Sequence, residues 1–122
     1  MVEGAIQNPG NPDHFMVAQP VGRRVQLYIG ETLIADTMAA LRVIEVGKSV
    51  YAPCLYIPHA DVTVDMVKTE KITHCPLKGD AAYYTIGDKE MAWGYETFDF
   101  AKVLEGHVSF WTQELRIVEG DG

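Results

Sequence analysis

The chain has 122 residues, two cysteines and a formal net charge of −7 at pH 7. Its length suits one ordinary domain that buries its own hydrophobic core. The negative charge opposes nucleic acid and anionic membranes, so neither is expected as a partner. No stretch approaches the roughly 20 apolar residues of a membrane-spanning helix. Residues 1–11 lack the basic and apolar regions of a secretory signal, so a cytoplasmic location is expected.

The charge is unevenly distributed along the chain. Residues 23–78 carry seven Lys or Arg and six Asp or Glu, a balance of +1, whereas from residue 96 onward six acids stand against two bases. The middle of the chain is therefore compatible with an anionic small molecule as a partner. The simpler interpretation of the same asymmetry is a solvated acidic end.

The first part of the chain divides into a lead-in and a hairpin. Residues 1–22 are rich in proline and glycine, which predicts an irregular N-terminal arm followed by a single β-rich domain over 23–122. Arg24–Ile29 alternates apolar and polar side chains as a half-buried strand does. A Gly30–Glu31 turn then predicts that Thr32–Ala35 returns as the second strand of a hairpin.

The next three segments are harder to assign. Asp36–Glu45 fits a capped helix as well as a strand, and the alternation of its end favours a strand at Leu41–Val46. Tyr51–Ile57 contains one proline and is followed by another, which predicts an edge strand or an extended segment. Val62–Val67 alternates and is predicted to be a strand.

The last third of the chain predicts further strands and one short helix. Ala81–Ile86 and Met91–Tyr95 form a hairpin through a Gly87–Asp88 turn. Phe98–Gly106 is the best candidate for a short helix, capped by an aspartate and ended by a glycine. Val108–Val118 is predicted to be one long final strand. The expected fold is mainly β, with antiparallel sheets and one or two short helices.

The run from Thr73 to Gly79 places an imidazole, a thiol and an ammonium group between two strands. Near a lysine or histidine, the thiol of Cys75 would have a lowered pKa and could act as a nucleophile. The catalytic candidates are therefore Cys75, Lys78 and His74. The alternative is that Cys75 is a small buried hydrophobic residue and Lys78 a surface charge.

Aromatic side chains follow this run on two predicted strands. Trp93 and Tyr95 share one face of their strand, and Tyr83 lies on the preceding strand. Large aromatic residues on one face suit either a core or the wall of a ligand site, and the core is the usual case.

Metal and cofactor motifs are missing from the sequence. A structural zinc site needs about four Cys or His ligands, often in C-x-x-C pairs, and this spacing does not occur. The phosphate-binding and dinucleotide-binding glycine motifs are also absent, so no cofactor and no metal are expected. Cys54 and Cys75 are expected to be reduced thiols, with a Cys54–Cys75 disulfide as a minor alternative.

The order of motifs resembles the domain of unknown function 427 family, which is also labelled nucleotidyltransferase-like. The most specific match is the run Cys75–Gly79 with Ala81 and Tyr83, followed by Ala92–Tyr95. Further matching segments extend the resemblance over nearly the whole chain: Asp13–His14, Arg23–Val25, Ala35–Asp36, Ala40–Leu41, Glu45, Tyr56–Pro58, Asp61–Val62 and Val108–Phe110. The resemblance implies a compact β-tent architecture of the Mss4-like group and brings no established activity.

Three functional interpretations stay open. The first is a module that binds an unknown small molecule in an aromatic-lined cleft beside the Cys75–Gly79 loop. The second is a small enzyme that uses Cys75 or Lys78, and the third is a structural or interaction domain, with a homodimer as one form. The residues expected to bind the ligand are Lys78, Tyr83, Trp93, Tyr95, Asp36 and Glu45.

The ammonium group of Lys78 is expected to point into the cleft beside Trp93 and Tyr95. If an acid such as Asp36 or Glu45 pairs with it, the lysine acts as a structural clamp. If no acid does, it is a candidate base or anion receptor.

Overall fold

The computed structural model describes residues 4–111 and 115–120. Among them are eleven β-strands and two short 3₁₀ segments, so the predicted mainly β class is confirmed. The strands are β1 (Ile6–Asn8), β2 (Asn11–Pro20), β3 (Val25–Ile29), β4 (Thr32–Thr37), β5 (Leu41–Val46), β6 (Cys54–Pro58), β7 (Val67–Cys75), β8 (Gly79–Ile86), β9 (Lys89–Thr97), β10 (His107–Phe110) and β11 (Leu115–Glu119). The finer likeness to the β-tent architecture stays a prediction. No helix among the described residues is long and apolar enough to cross a membrane.

The strands form two antiparallel sheets. The large sheet has eight strands in the order β1-β2-β5-β6-β10-β9-β8-β7, and the small sheet has three in the order β11-β3-β4. In the large sheet β5 and β8 are four positions apart, which is about 19 Å in a flat sheet. Yet Lys78, just before β8, contacts Glu45 of β5. The large sheet is therefore strongly curled.

The two faces of the large sheet pack against two separate hydrophobic cores. The first core lies between the small sheet and one face of the large sheet, and it includes Leu27, Ile34, Ile57 and Phe110. The second core lies on the other face, inside the curl. Its fully or nearly buried members are Met16, Val43, Tyr56, Leu77, Ala101 and Leu104. Alternation along β6 explains the division, because Ile57 faces the first core and Tyr56 the second.

Both predicted hairpin turns are confirmed. Gly30 has a φ of 59° and Gly87 a φ of 66°, and positive φ is confined to glycine among the described residues. A positive φ at the first central residue alone is the pattern of a type II′ turn, whose twist matches the flanking strands. The preferred strand at Leu41–Val46 is also confirmed, since β5 has these bounds.

The N-terminal segment differs from its prediction as an irregular arm. Within it, β2 pairs with β1 on one side and with β5 on the other. The two prolines of β2, Pro12 and Pro20, lie near its ends. A proline there removes little from the ladder of hydrogen bonds, which is why a proline-rich segment can still form a strand.

Two further predictions hold only in part. The segment Tyr51–Ile57 is extended but is not an edge, because β6 pairs with both β5 and β10. Between Val62 and Met66 the chain forms only a bridge from Val62 to Ala35. The alternating apolar residues there pack on the first core rather than marking a strand. The strand begins at Val67 instead and forms an exposed edge of the large sheet.

The end of the chain also differs. Val108–Val118 is not one strand, because β10 belongs to the large sheet and β11 to the small one. Residues 112–114 lie outside the described part of the chain. The predicted helix at Phe98–Gly106 is a 3₁₀ segment over Asp99–Leu104, kinked at Ala101, and no side chain caps it. A second 3₁₀ segment covers His59–Asp61.

Candidate functional site

A tight turn between β7 and β8 fixes the position of Lys78. Leu77 is fully buried in the second core and anchors the turn from below. Gly79 has a φ of 128°, and a Cβ at this position would lie 2.1 Å from the carbonyl oxygen of Glu96. Only glycine fits this close approach. On the other side of the turn, the amide of Phe98 donates to the carbonyl of Lys78 at 3.1 Å.

The ammonium group of Lys78 points inward and forms an ion pair with Glu45. The side chain of Lys78 is only 9% exposed and that of Glu45 only 18%. The ammonium also lies 5.4 Å from the ring centroid of Tyr95, within the range of a cation–π contact. Of the alternatives for Lys78, the structure shows the paired one, with Glu45 rather than Asp36 as the acid.

The other carboxylate oxygen of Glu45 is bonded to His14 on β2. The His14 Nε2 to Glu45 Oε2 distance is 2.8 Å, and the side-chain nitrogen of Asn8 lies 3.2 Å from His14 Nδ1. The amide of Gly10 donates to the Asn8 oxygen at 2.9 Å, which fixes the orientation of the Asn8 side chain. The Asn8 NH₂ group therefore donates to Nδ1, and Nε2–H donates to Glu45. This hydrogen-bond network places a proton at Nε2 of His14, facing the Glu45 carboxylate.

The surroundings shift the titration of three groups around this network. Burial acts to raise the pKa of the Glu45 carboxyl, but hydrogen bonds from Lys78 and His14 outweigh it, and the pKa lies below its ordinary value. Burial raises the pKa of the Cys54 thiol, although the Lys78 ammonium acts against it. Burial likewise raises the pKa of Tyr95. At neutral pH the site thus holds one carboxylate and neutral thiol and phenol groups at Cys54 and Tyr95.

The catalytic candidates are not brought together as one group. Cys75 packs against the second core, and its thiol is free. His74 precedes it on β7 and faces the opposite side of the sheet, as neighbouring strand residues do. There its Nδ1 lies 2.8 Å from Asp80, with both side chains mostly exposed. The imidazole of His74 is therefore placed away from the thiol it was expected to activate.

The remaining candidates for ligand binding lie in three different places. Tyr83 is bonded to Thr73 at 2.7 Å. Trp93 is half-buried and packs against Trp111, with ring centroids 4.3 Å apart. Asp36 lies on the small sheet, where its carboxylate accepts two hydrogen bonds from Arg24 at 2.9 and 2.7 Å. Of the six expected ligand-binding residues, the structure joins Lys78, Glu45 and Tyr95.

A cavity of about 450 Å³ opens beside His14. Its lining residues are Asn8, Asn11, His14, Gly47, Lys48, Tyr51 and Pro76. The rings of His14 and Tyr51 pack close to Gly47, within 3.4 Å of where a Cβ would lie. Lys48 is the only Lys, Arg, Asp or Glu among these lining residues. A volume of this size is typical of small-molecule sites.

A second polar cavity, of about 440 Å³, has the opposite charge. Its lining includes the carboxylates of Asp80, Glu96 and Glu105 and the ammonium of Lys68. Tyr95 also lines it, whereas Lys78 lines neither of these two cavities. Among the described residues, no three His, Cys, Asp or Glu side chains are grouped so that they could hold a metal ion.

The analysis of composition and spacing missed His14 and Asn8. Both lie in the segment predicted to be irregular, where strand alternation was obscured by prolines. The one signal that pointed to His14 was the Asp13–His14 pair within the family resemblance.

Comparison with known proteins identifies a family. A family model described as a domain of unknown function (DUF427) matches residues 17–120, and the chain therefore belongs to this family. Asn8 and His14 lie before the matched segment, whereas Glu45 and Lys78 lie within it. A search of curated proteins finds no match.

Proposed function

Starting from a family described only as a domain of unknown function, we propose that this protein is a small-molecule-binding module. Its site is the cavity beside His14, and its ligand is a small organic or inorganic anion. The observation that carries the proposal is the placement of a buried ion pair directly behind a residue that lines a cavity. His14 lines that cavity and is bonded to Glu45, which is paired with Lys78.

A buried ion pair needs a reason to be present. Removing two charges from water costs free energy, and a hydrophobic pair of similar volume is often at least as stabilising. Here the pair fixes the ring of a cavity-lining histidine from behind. Carboxyl groups with shifted pKa values and specific charged partners in clefts are common at functional sites. Glu45 shares the lowered pKa and the specific charged partner, and it lies behind the cavity rather than in its lining.

The charge of the lining supports an anionic ligand. Lys48 supplies a positive charge, and Asn8, Asn11 and Tyr51 supply donor groups, while no carboxylate is among the described lining residues. The Glu45–Lys78 pair behind the cavity is neutral as a whole. The cavity with Asp80, Glu96 and Glu105 repels the same ligand, which gives an internal control within one molecule.

Binding without catalysis is favoured by the state of the candidate groups. Both ring nitrogens of His14 are occupied, one by Asn8 and one by Glu45. The ammonium of Lys78 is held by Glu45, so it is not available as a base or for a Schiff base. The enzyme alternative, which needs one of these groups or Cys75 to react, therefore has less support.

The test is a thermal-shift screen with acetate, succinate, inorganic phosphate and nucleotides, followed by calorimetry for any anion that stabilises the protein. Lys48→Gln should weaken that anion at least tenfold, because it removes the charge from the lining. Lys68→Gln is the matched control, since it removes an exposed lysine at the other cavity, and it should leave the affinity unchanged. Gly47→Val should also abolish binding, because its side chain would displace the rings of His14 and Tyr51, which lie within 3.4 Å of the added Cβ. Equal affinity in the wild type and Lys48→Gln would reject the site.

A further inference from the structure

A third cavity, of about 230 Å³, differs from the two polar ones in its chemistry. It lies where β6, β9 and β10 of the large sheet meet the edge strand β11 of the small sheet. Its walls include Trp93 and Trp111, whose rings pack together, and the apolar side chains of Pro53, Phe110, Leu115 and Ile117. No charged side chain is found among its described lining residues.

The hydroxyl and thiol groups along this cavity offer little to a charged ligand. The hydroxyl of Ser109 donates to the carbonyl of Leu55 at 2.8 Å. Burial in the second core raises the pKa of the Tyr56 phenol, and the indole N–H of Trp93, which is directed towards Tyr56, acts to lower that pKa. Trp93 lines the cavity with its ring packed against that of Trp111. The thiol of Cys54 at the wall is held in its neutral form by burial.

We infer that this cavity is a second binding site and that it takes a small neutral aromatic molecule. The described lining residues offer ring surfaces for stacking and no charge to compensate an ionised group, so an ion among them would lose its hydration without gaining a partner. A cavity of about 150 Å³ lined by aliphatic and aromatic side chains can hold benzene. The larger volume here fits one or two fused rings, the size of indole.

The tryptophans of the protein can serve as intrinsic spectroscopic probes of this site. It contains two tryptophans, and both line the cavity. Protein labelled with 5-fluorotryptophan should therefore give two fluorine resonances, which Trp111→Phe assigns. Titration with indole should shift both resonances. Indole-3-acetate, which adds a carboxylate to the same ring system, should bind at least tenfold more weakly.

Variants that fill the cavity test whether indole binds inside it. Ala52 lines the cavity from an exposed loop, so Ala52→Phe should reduce the affinity for indole at least tenfold while the fold is retained. Ala60→Phe is the matched control, because Ala60 is also exposed but lies outside the lining, and it should bind indole like the wild type. Ile117→Phe fills the same cavity from the small sheet and serves as a second variant if Ala52→Phe misfolds.

Three results would overturn the inference. They are unchanged fluorine resonances at the solubility limit of indole, equal affinity for indole and indole-3-acetate, and normal indole binding by the correctly folded filling variants. The anion site beside His14 has the opposite preference for charge and different variants. Failure at one site is therefore distinguishable from failure at the other.

Discussion

Replacing Lys78 with methionine tests the ion pair on which the candidate site is built. The change keeps most of the side-chain stem against Tyr95 but removes the charge that holds Glu45. Removing one partner of a buried ion pair typically lowers the free energy of unfolding by about 3–5 kcal/mol, because the other charge is left uncompensated. Two features of the structure reduce this value. Glu45 keeps its hydrogen bond from His14, and its side chain is 18% exposed.

We therefore expect Lys78→Met to lower the free energy of unfolding by about 2–4 kcal/mol. A domain of this size is stable by about 5–15 kcal/mol, so the variant should still fold. The measurement is urea unfolding at pH 7, monitored by tryptophan fluorescence and circular dichroism. Lys102→Met is the control, since Lys102 is exposed, and it should change stability by no more than about 0.5 kcal/mol.

A double-variant cycle with Glu45→Gln separates the pair from other effects of the substitutions. The double variant should be less destabilised than the sum of the two single variants by at least about 1.5 kcal/mol, because the two side chains contact each other directly. A loss of under about 0.5 kcal/mol in Lys78→Met, or strict additivity in the cycle, would refute the ion pair as a stabilising contact.

Three further outcomes follow from the structure. Because the pKa of Glu45 is lowered in the folded state from an ordinary value of 4.5, its contribution to stability is fully present above that pH and is lost as the pH falls through the lowered pKa. Urea unfolding between pH 3 and 6 should therefore be less pH-dependent in Glu45→Gln than in the wild type, and identical profiles would contradict this. Gly79→Ala should lower the free energy of unfolding by more than about 2 kcal/mol. Gly106→Ala should lower it by about 1 kcal/mol, because Gly106 has a positive φ but open space around it. Equal losses in the two variants would show that the contact with Glu96 is unimportant. Arg42→Ala breaks an exposed ion pair with Glu119 and should change the free energy of unfolding by less than about 1 kcal/mol. A larger loss in urea unfolding would mean that this ion pair between the two sheets is stronger than its exposure indicates.

Alternation of apolar and polar residues predicted the strands correctly where the buried side chains also belong to hydrogen-bonded strands. The hairpins around Gly30 and Gly87 combine clear alternation with a glycine at the position that needs positive φ. The segment Val62–Val67 shows where this agreement fails. Its alternating side chains do pack on the first core, but the backbone bonds that define a strand start only at Val67. Alternation reports which side chains are buried and does not report backbone pairing.

The candidate site was predictable only in part for a related reason. The turn at Lys78 is local, and its proline, buried leucine and glycine indicate a fixed inward geometry. The partners of Lys78 depend on the curl of the large sheet, which brings β2 and β5 to β8. Thirty-three positions separate Glu45 from Lys78, and nothing in the spacing indicates that these two residues meet. The choice between Asp36 and Glu45 as the acid therefore required the structure.

Among the described strands, β1 and β7 are the two edges of the large sheet, and β7 is the longer with nine residues. Val67 and Ile72 on this strand are 62% and 65% exposed, which makes the edge a template for unwanted strand pairing between molecules. Lys68 and Lys71 lie between these two apolar residues, and the register with β8 is irregular over the same stretch. Charged side chains and irregular pairing are two means by which proteins block aggregation at sheet edges. We therefore expect the lysines of β7 to oppose pairing of this edge with a strand of another molecule.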